Sequence, residues 1–162
     1  MKFIRLITLT VIMCMAIEKV ACQDKDGNKV VARFYIEEIV NKQKLELLNQ
    51  VFADSFLVHI LTDSTQNLQS IEAQADFLKY LFKAFPDIHY TVGDIIGDGD
   101  KIAMRVTLSA THKDEFWGYK ASGNRINHLS EIFFFRFING KVVESWVQID
   151  LYNLYRQLKG EK

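Results

Sequence analysis

The chain has 162 residues, of which 49% are hydrophobic and 12% aromatic, and its 20 basic and 20 acidic residues cancel. This length supports one domain with a substantial core and is too short for two ordinary domains. The balanced charge argues against a protein that binds nucleic acid, because such proteins carry a basic excess.

The first 22 residues differ from the rest of the chain. Lys2 and Arg5 precede an apolar run over residues 6–17, and the small residues of Val20–Cys22 then lead into a polar stretch. This layout is typical of a signal peptide, and the apolar run is too short for a stable membrane span. We therefore expect residues 1–22 to be removed and the protein to be secreted or exported.

Removal of this segment would leave residues 23–29 as a polar leader and residues 30–160 as one folded domain. Both cysteines, Cys14 and Cys22, would be lost, so the core would have to hold the fold without a disulfide. An alternative keeps Cys22 as the lipid-modified first residue of a bacterial lipoprotein, although Lys19 stands where such signals normally carry leucine.

The first half of the domain is predicted to be mainly helical. Apolar residues recur at helical spacing over residues 30–40 and again over 45–52, which predicts two helices joined by a short turn. Residues 56–61 form an apolar run of strand length. Ser70 is a suitable N-cap for a third helix, which Pro86 would end.

The second half is predicted to consist of strands at 88–96 and 101–111, a hairpin at 131–150 and a last helix at 151–158. Asn139-Gly140 suits the positive φ angles of a type I′ turn in this hairpin. Asp150 directly precedes the last helix and is better explained as its N-cap than as a catalytic base. Helices in one block and hairpins in the next are typical of an α+β fold with an antiparallel sheet.

Both faces of the predicted hairpin are largely apolar. Alternation gives one face Phe133, Phe135, Phe137, Val143, Ser145, Val147 and Ile149, and the other face Ile132, Phe134, Arg136, Ile138, Val142, Glu144, Trp146 and Gln148. We therefore expect the hairpin to be covered on both sides, by helices on one side and by a partner surface or a cavity on the other.

Motifs for a bound metal, a phosphate loop or a serine nucleophile are missing from the sequence. Asp94, Asp98 and Asp100 lack the spacing and the terminal glutamate of a calcium-binding loop, and their Gly-Asp-Gly-Asp stretch is more simply a hairpin turn. The four histidines are scattered along the chain. No metal site is expected.

Six segments occur together from about residue 30 to the end: Ala84–Val92, Gly99–His112, Glu115–Gly118, Ser122–Ile126, Phe135–Trp146 and Leu154–Leu158. In this order and spacing they resemble the SnoaL-like polyketide and ester cyclases of the NTF2-like superfamily. The resemblance implies an α+β cone in which a curved antiparallel sheet wraps around a pocket and N-terminal helices close its wide end. It also implies a homodimer through the outer face of the sheet.

The same resemblance implies a chemistry. Members with known activity close polyketide rings by intramolecular aldol condensation and need no cofactor and no metal. The family pattern places an acid–base pair at two pocket positions, and those positions hold Phe133 and Val147 here. The usual pair is therefore replaced by apolar side chains.

Two hypotheses for the function follow. The first is a secreted protein that binds a small apolar ligand in the cone pocket, lined by Phe133, Val147, Trp117, Tyr119, His112 and Phe135. The second is a cofactor-free cyclase, isomerase or hydratase of the same fold that uses His59 and Arg105. A dimer with a structural role and no ligand is a third option.

Some of these residues also have structural explanations. Arg105 could instead form a salt bridge at the sheet surface, and His112 could fix the loop that follows it. Trp117 and Tyr119, with Phe116, lie where an aromatic lid would sit, and they would serve equally well in core packing.

Overall fold

A computed structural model describes residues 25–60 and 67–161. Its helical segments are α1 (Lys25–Phe34), which continues into a π-helical turn (Tyr35–Val40), a 3-10 turn (Leu45–Leu47), α2 (Leu48–Val51), α3 (Ile71–Ala84) and α4 (Leu151–Lys159). Its strands are β1 (Phe52–Ile60), β2 (His89–Asp98), β3 (Lys101–Thr111), β4 (Arg125–Ile138) and β5 (Lys141–Ile149). The signal peptide and the lipid anchor at Cys22 lie outside the described residues and stay predictions.

The five strands form one curved sheet in the order β1-β5-β4-β3-β2. The expected α+β cone is confirmed, with one difference: β1 runs parallel to β5, where an all-antiparallel sheet was expected. The reason is that β1 and β5 are not consecutive in the chain, because α3 and three strands lie between them. A hairpin would have forced an antiparallel pair, but no hairpin joins these two strands.

The β4–β5 hairpin turns at Asn139 and Gly140 with φ angles of 51° and 75°, as expected for a type I′ turn. Its register shifts between Arg136, which pairs with Glu144, and Phe137, which pairs with Val142. Val143 is therefore the extra residue of a β-bulge. The prediction that Val143 shares the face of the phenylalanines is wrong, because the bulge moves Val142 there instead.

Two polar residues cap helices as expected. Ser70 Oγ accepts a hydrogen bond from the Ala73 N–H at 3.2 Å and starts α3. Asp150 accepts one from the Asn153 N–H at 3.0 Å and starts α4, so its carboxylate serves as an N-cap.

The N-terminal segments differ from the predicted pair of plain helices. The Asn41 N–H donates to Ile36 O at 2.9 Å, five residues back, so the segment after α1 is a wider π-helical turn. The predicted second helix is shorter than expected, because Phe52 already belongs to β1. Tyr35, which begins the π-helical turn, and Phe52, which begins β1, are both buried and pack edge-on with their ring centroids 5.3 Å apart.

The core lies between the inner face of the sheet and the helices. Phe135 and Phe137 on β4 and Ile102 and Met104 on β3 are fully buried on this inner face. Within residues 25–60 and 67–161, no helix has the length and apolar character needed to cross a membrane.

Candidate functional site

A cavity lies between the inner face of the sheet and the helices. It holds about 720 Å³ of empty space, including the solvent at its mouth. Most of its wall is apolar, and the polar side chains in it are Tyr35, Gln74, Tyr90, Glu131 and Ser145. A mostly apolar cavity with a few converging polar groups is the usual form of a small-molecule site.

Three of the six predicted pocket residues line this cavity: Phe133, Val147 and Trp117. The other three do not. Phe135 is fully buried in the core, and Tyr119 stacks on Tyr155 with the ring centroids 5.1 Å apart. His112 likewise lies away from the cavity wall.

His112 holds the loop that follows β3, which is the structural role that the sequence analysis offered for it. Its ring is buried against Phe85 at a centroid distance of 5.4 Å, and its Nδ1 lies 3.3 Å from the Ser122 N–H, which donates to it. Its backbone bonds to Gly123 and Asn124. Burial lowers the pKa of His112, so the ring is neutral at neutral pH.

The predicted catalytic residues His59 and Arg105 lie on the outer face of the sheet and do not line the cavity. His59 is in register with Trp146, stacks on it at 5.2 Å, and places its Nε2 3.1 Å from Glu144 Oε1. Arg105 Nη2 donates to Asp94 Oδ2 at 2.9 Å, which is the surface salt bridge that the sequence left open.

Trp117 is held at the cavity by a tight turn. Phe116 and Tyr119 exchange two backbone hydrogen bonds of 2.9 Å, and the residues between them, Trp117 and Gly118, have φ angles of 48° and 80°. A tryptophan in this left-handed region is strained, and the Trp117 N–H is fixed by donating to Tyr80 Oη at 2.7 Å. Phe116 and Trp117 both line the cavity, and Phe116 is also buried in the core.

Glu131 is the functional candidate that the sequence analysis missed. It lies on β4 two residues before Phe133 and therefore shares its inner face, where its side chain is 4% exposed. Tyr90 Oη lies 3.3 Å from both carboxylate oxygens. Burial raises the pKa of Glu131 to about 8, and the hydrogen bond from Tyr90 only partly offsets this. Such a carboxyl group can give or take a proton near neutral pH.

Two buried tyrosines flank this carboxyl group. Burial raises the pKa of both Tyr35 and Tyr90 well above the ordinary value, so both hydroxyl groups stay protonated. Each ring packs edge-on against Phe133 at 6.3 Å. Gln74 Nε2 donates to Tyr35 Oη at 2.9 Å.

Asn41 connects the segment that carries Tyr35 to the strand that carries Tyr90. Its Nδ2 donates to Tyr90 O and its Oδ1 accepts from the Tyr90 N–H, both at 2.8 Å. Because Asn41 ends the π-helical turn that begins with Tyr35, this pair of hydrogen bonds ties that turn to β2.

The sequence pattern of the SnoaL-like polyketide cyclase family matches residues 29–158 of this chain. The chain belongs to this family. In this SnoaL-like chain the ionisable group of the cavity is therefore Glu131, while Phe133 and Val147 are apolar parts of the wall. No curated protein matches the sequence.

Solved structures agree with the SnoaL-like fold. A candidate SnoaL-like polyketide cyclase of Jannaschia sp. CCS1 has a TM-score of 0.78 at 18% identity, over 86% of this chain and 96% of the other. TsrD of Streptomyces laurentii has a TM-score of 0.74 at 21% identity, over 83% and 96%. AclR of Streptomyces galilaeus, a candidate hydroxylase, has a TM-score of 0.72 at 25% identity, over 85% and 83%. The fold is therefore shared by proteins to which different reactions are ascribed, and the reaction must be argued from the site.

Within the part of the SnoaL-like chain that the structure describes, His, Cys, Asp and Glu side chains form no group of three that could hold a metal ion. The absence of a cofactor remains a prediction from the family resemblance.

Proposed function

We propose that this SnoaL-like protein is a cofactor-free enzyme that moves a proton beside the carbonyl group of a small, mostly apolar substrate, as in a cyclisation or an isomerisation. The observation that carries the proposal is the burial of Glu131 in the apolar cavity beside Tyr90. A buried carboxyl group destabilises a fold unless it is compensated, and strongly perturbed carboxyl groups in clefts are concentrated at catalytic sites.

The geometry supports a simple proton transfer. The Glu131 carboxylate takes a proton from the carbon next to the substrate carbonyl, and the electrons of the broken C–H bond move onto the carbonyl oxygen. Tyr90 Oη is only weakly held by the carboxylate at 3.3 Å and can donate to the resulting enolate oxygen. In an isomerisation, Glu131 returns the proton to another carbon of the enolate system as the carbonyl re-forms. In a cyclisation, the enolate carbon attacks a second carbonyl of the substrate, and Glu131 gives the proton to the alkoxide oxygen that this forms.

This proposal differs from the first hypothesis of the sequence analysis, a protein that only binds a small apolar ligand. That hypothesis depended on the apolar residues at positions 133 and 147, which left the cavity without a recognised base. Glu131 supplies an ionisable group on the same face, one inward-facing position before Phe133. The alternative enzyme hypothesis is therefore kept, with Glu131 and Tyr90 in place of His59 and Arg105.

Exchange of α-protons tests the proposed function. In D₂O the wild type is expected to accelerate deuterium uptake at C2 of 1-indanone or 1-tetralone, followed by NMR, and the rate should rise with pH toward a plateau above pH 8. Glu131→Gln should lose about 10²- to 10⁴-fold of the rate, because a positioned base is worth that much. Glu144→Gln, on the outer face, is the matched control and should keep the rate. Full activity of Glu131→Gln, or no acceleration by the wild type, would contradict the proposal.

We also propose that the protein forms a homodimer through the outer face of the sheet. One row of side chains crosses all five strands on this face: Ile96, Ala103, Phe134, Trp146 and His59. Beside that row, Ile132 on the same face is 46% exposed. A contiguous apolar surface of this kind is rarely left open to water, and a second copy would cover it.

Substitution of Ile132 by lysine is expected to convert the dimer into monomers, because each copy would bring a charge into the apolar interface. Sedimentation velocity at micromolar concentration measures the change. Val30→Lys introduces the same charge at an exposed position of α1 and should leave the dimer intact. A wild type that sediments as a monomer would contradict the interface.

A further inference from the structure

Gln74 carries an unpaired polar atom at the cavity. Its side chain, on α3, is 3% exposed, and its Nε2 donates to Tyr35 Oη at 2.9 Å. Its Oε1 has no hydrogen-bond partner among the described residues. Buried carbonyl oxygens without a partner are rare in folded proteins because desolvation is not compensated. A leucine would fill this space without that penalty. The presence of an amide is therefore better explained by a ligand that donates a hydrogen bond to the Gln74 Oε1.

Tyr35 supplies the complementary atom. Its hydroxyl oxygen accepts from Gln74 Nε2, and this hydroxyl is not seen to donate to any other described residue. The proton therefore remains available to a bound molecule. A donor on Tyr35 and an acceptor on Gln74 stand side by side, and a hydroxyl group can satisfy both because it accepts one hydrogen bond and donates another.

This pair of residues lies close to the proposed acid–base group. The negative charge of Glu131 contributes to the raised pKa of Tyr35, which places the two side chains within electrostatic reach. Tyr35 and Tyr90 also contact the same ring, that of Phe133, at 6.3 Å each. One small molecule in the cavity can therefore meet Glu131 and the Gln74–Tyr35 pair together.

We propose that Gln74 and Tyr35 form a hydroxyl-binding site that makes the enzyme prefer substrates with a hydroxyl group near the reacting carbonyl. This inference rests on the proposed function for the identity of the reacting carbonyl, whereas the hydroxyl-binding site itself rests on the unpaired Oε1 and the free proton of Tyr35. Sites built to pair with a hydroxyl group discriminate strongly against analogues that lack it, because their buried polar atoms are then left unpaired.

Binding of two matched ketones tests the inference independently of catalysis. Isothermal titration of the wild type should show that 4-hydroxy-1-tetralone binds roughly tenfold more tightly than 1-tetralone, as expected for one gained hydrogen-bonded group. In Gln74→Leu and in Tyr35→Phe the ratio of the two affinities should fall to about 1 while 1-tetralone still binds. Glu144→Gln removes a charge on the outer face of the sheet, away from the cavity, and should keep the preference.

The result that would overturn the inference is equally specific. A wild type that binds the hydroxy ketone no better than the parent ketone, or not at all, refutes it, as does an unchanged ratio in a folded Gln74→Leu or Tyr35→Phe variant. Two variants are used so that misfolding of one, detected by thermal unfolding, leaves the other as the test. A preference for the hydroxy ketone without α-proton exchange would refute the proposed function and retain the hydroxyl-binding site.

Discussion

Replacement of Glu131 by glutamine is expected to stabilise the protein at high pH by several kcal/mol. Burial raises the pKa of Glu131 from 4.5 to about 8 in the folded state. Between these two values the folded chain binds more protons at this site than the unfolded chain, so the free energy of unfolding falls as the pH rises through this window. Glutamine cannot ionise, and the variant should not show this loss.

Urea unfolding of the wild type and of Glu131→Gln at pH 5, 7 and 9 measures this difference. The two proteins should have similar stability at pH 5 and diverge progressively up to pH 9. Glu144→Gln gives the opposite sign, because the hydrogen bond to His59 and the pairing with Arg136 lower the pKa of Glu144. Its removal should therefore destabilise the protein at pH 7 and less so near pH 3. If the free energies of unfolding of wild type and Glu131→Gln differed by the same amount at all pH values, the raised pKa of Glu131 would be refuted.

Truncation of Phe135 to alanine is expected to lower the free energy of unfolding by about 3 to 5 kcal/mol. Its ring is fully buried and contacts the rings of Phe133, Tyr35 and Phe137 at 5.8, 6.2 and 6.2 Å. The substitution removes this surface and leaves a cavity where the neighbours cannot fully collapse.

Ile138→Ala is the matched control on the same strand. Its side chain is 49% exposed, so its truncation should change the stability far less. Urea unfolding at one pH is sufficient for both variants. Equal losses for Phe135→Ala and Ile138→Ala would show that the inner face of β4 is not the packed core described above.

The parts of the fold that could be predicted are those specified by local chemistry. Asn139-Gly140 has the conformational freedom that a type I′ turn needs, and Ser70 and Asp150 can accept hydrogen bonds from the free N–H groups of a helix start. The bulge at Val143 and the parallel pairing of β1 depend on how distant segments meet. No local pattern in the sequence encodes them.

The contrast between local patterns and contacts of distant segments also explains which residues of the candidate site could be predicted. Alternation along β4 placed Phe133 on the inner face, and the same alternation includes Glu131. The predicted hairpin begins at Glu131, where a charged residue is usually solvated, whereas β4 begins at Arg125 and places Glu131 in its middle. The partner of Glu131, Tyr90, also lies 41 residues away in the sequence. His59 was misplaced because its face is set by the register between β1 and β5.

The π-helical turn at Tyr35–Val40 makes the choice of side chains that line the cavity depend on the number of residues in this segment. A π-helical turn contains one more residue than the α-helical turn it replaces, and each residue advances an α-helix by about 100°. Loss of one codon here would restore regular spacing and rotate the side chains that precede Asn41 by about that angle. Evolution could thus exchange Tyr35 for another residue at the cavity by an insertion or a deletion, without any substitution. In diverging relatives, a length difference of one residue before Asn41 would mark a change in the side chain that lines this part of the cavity.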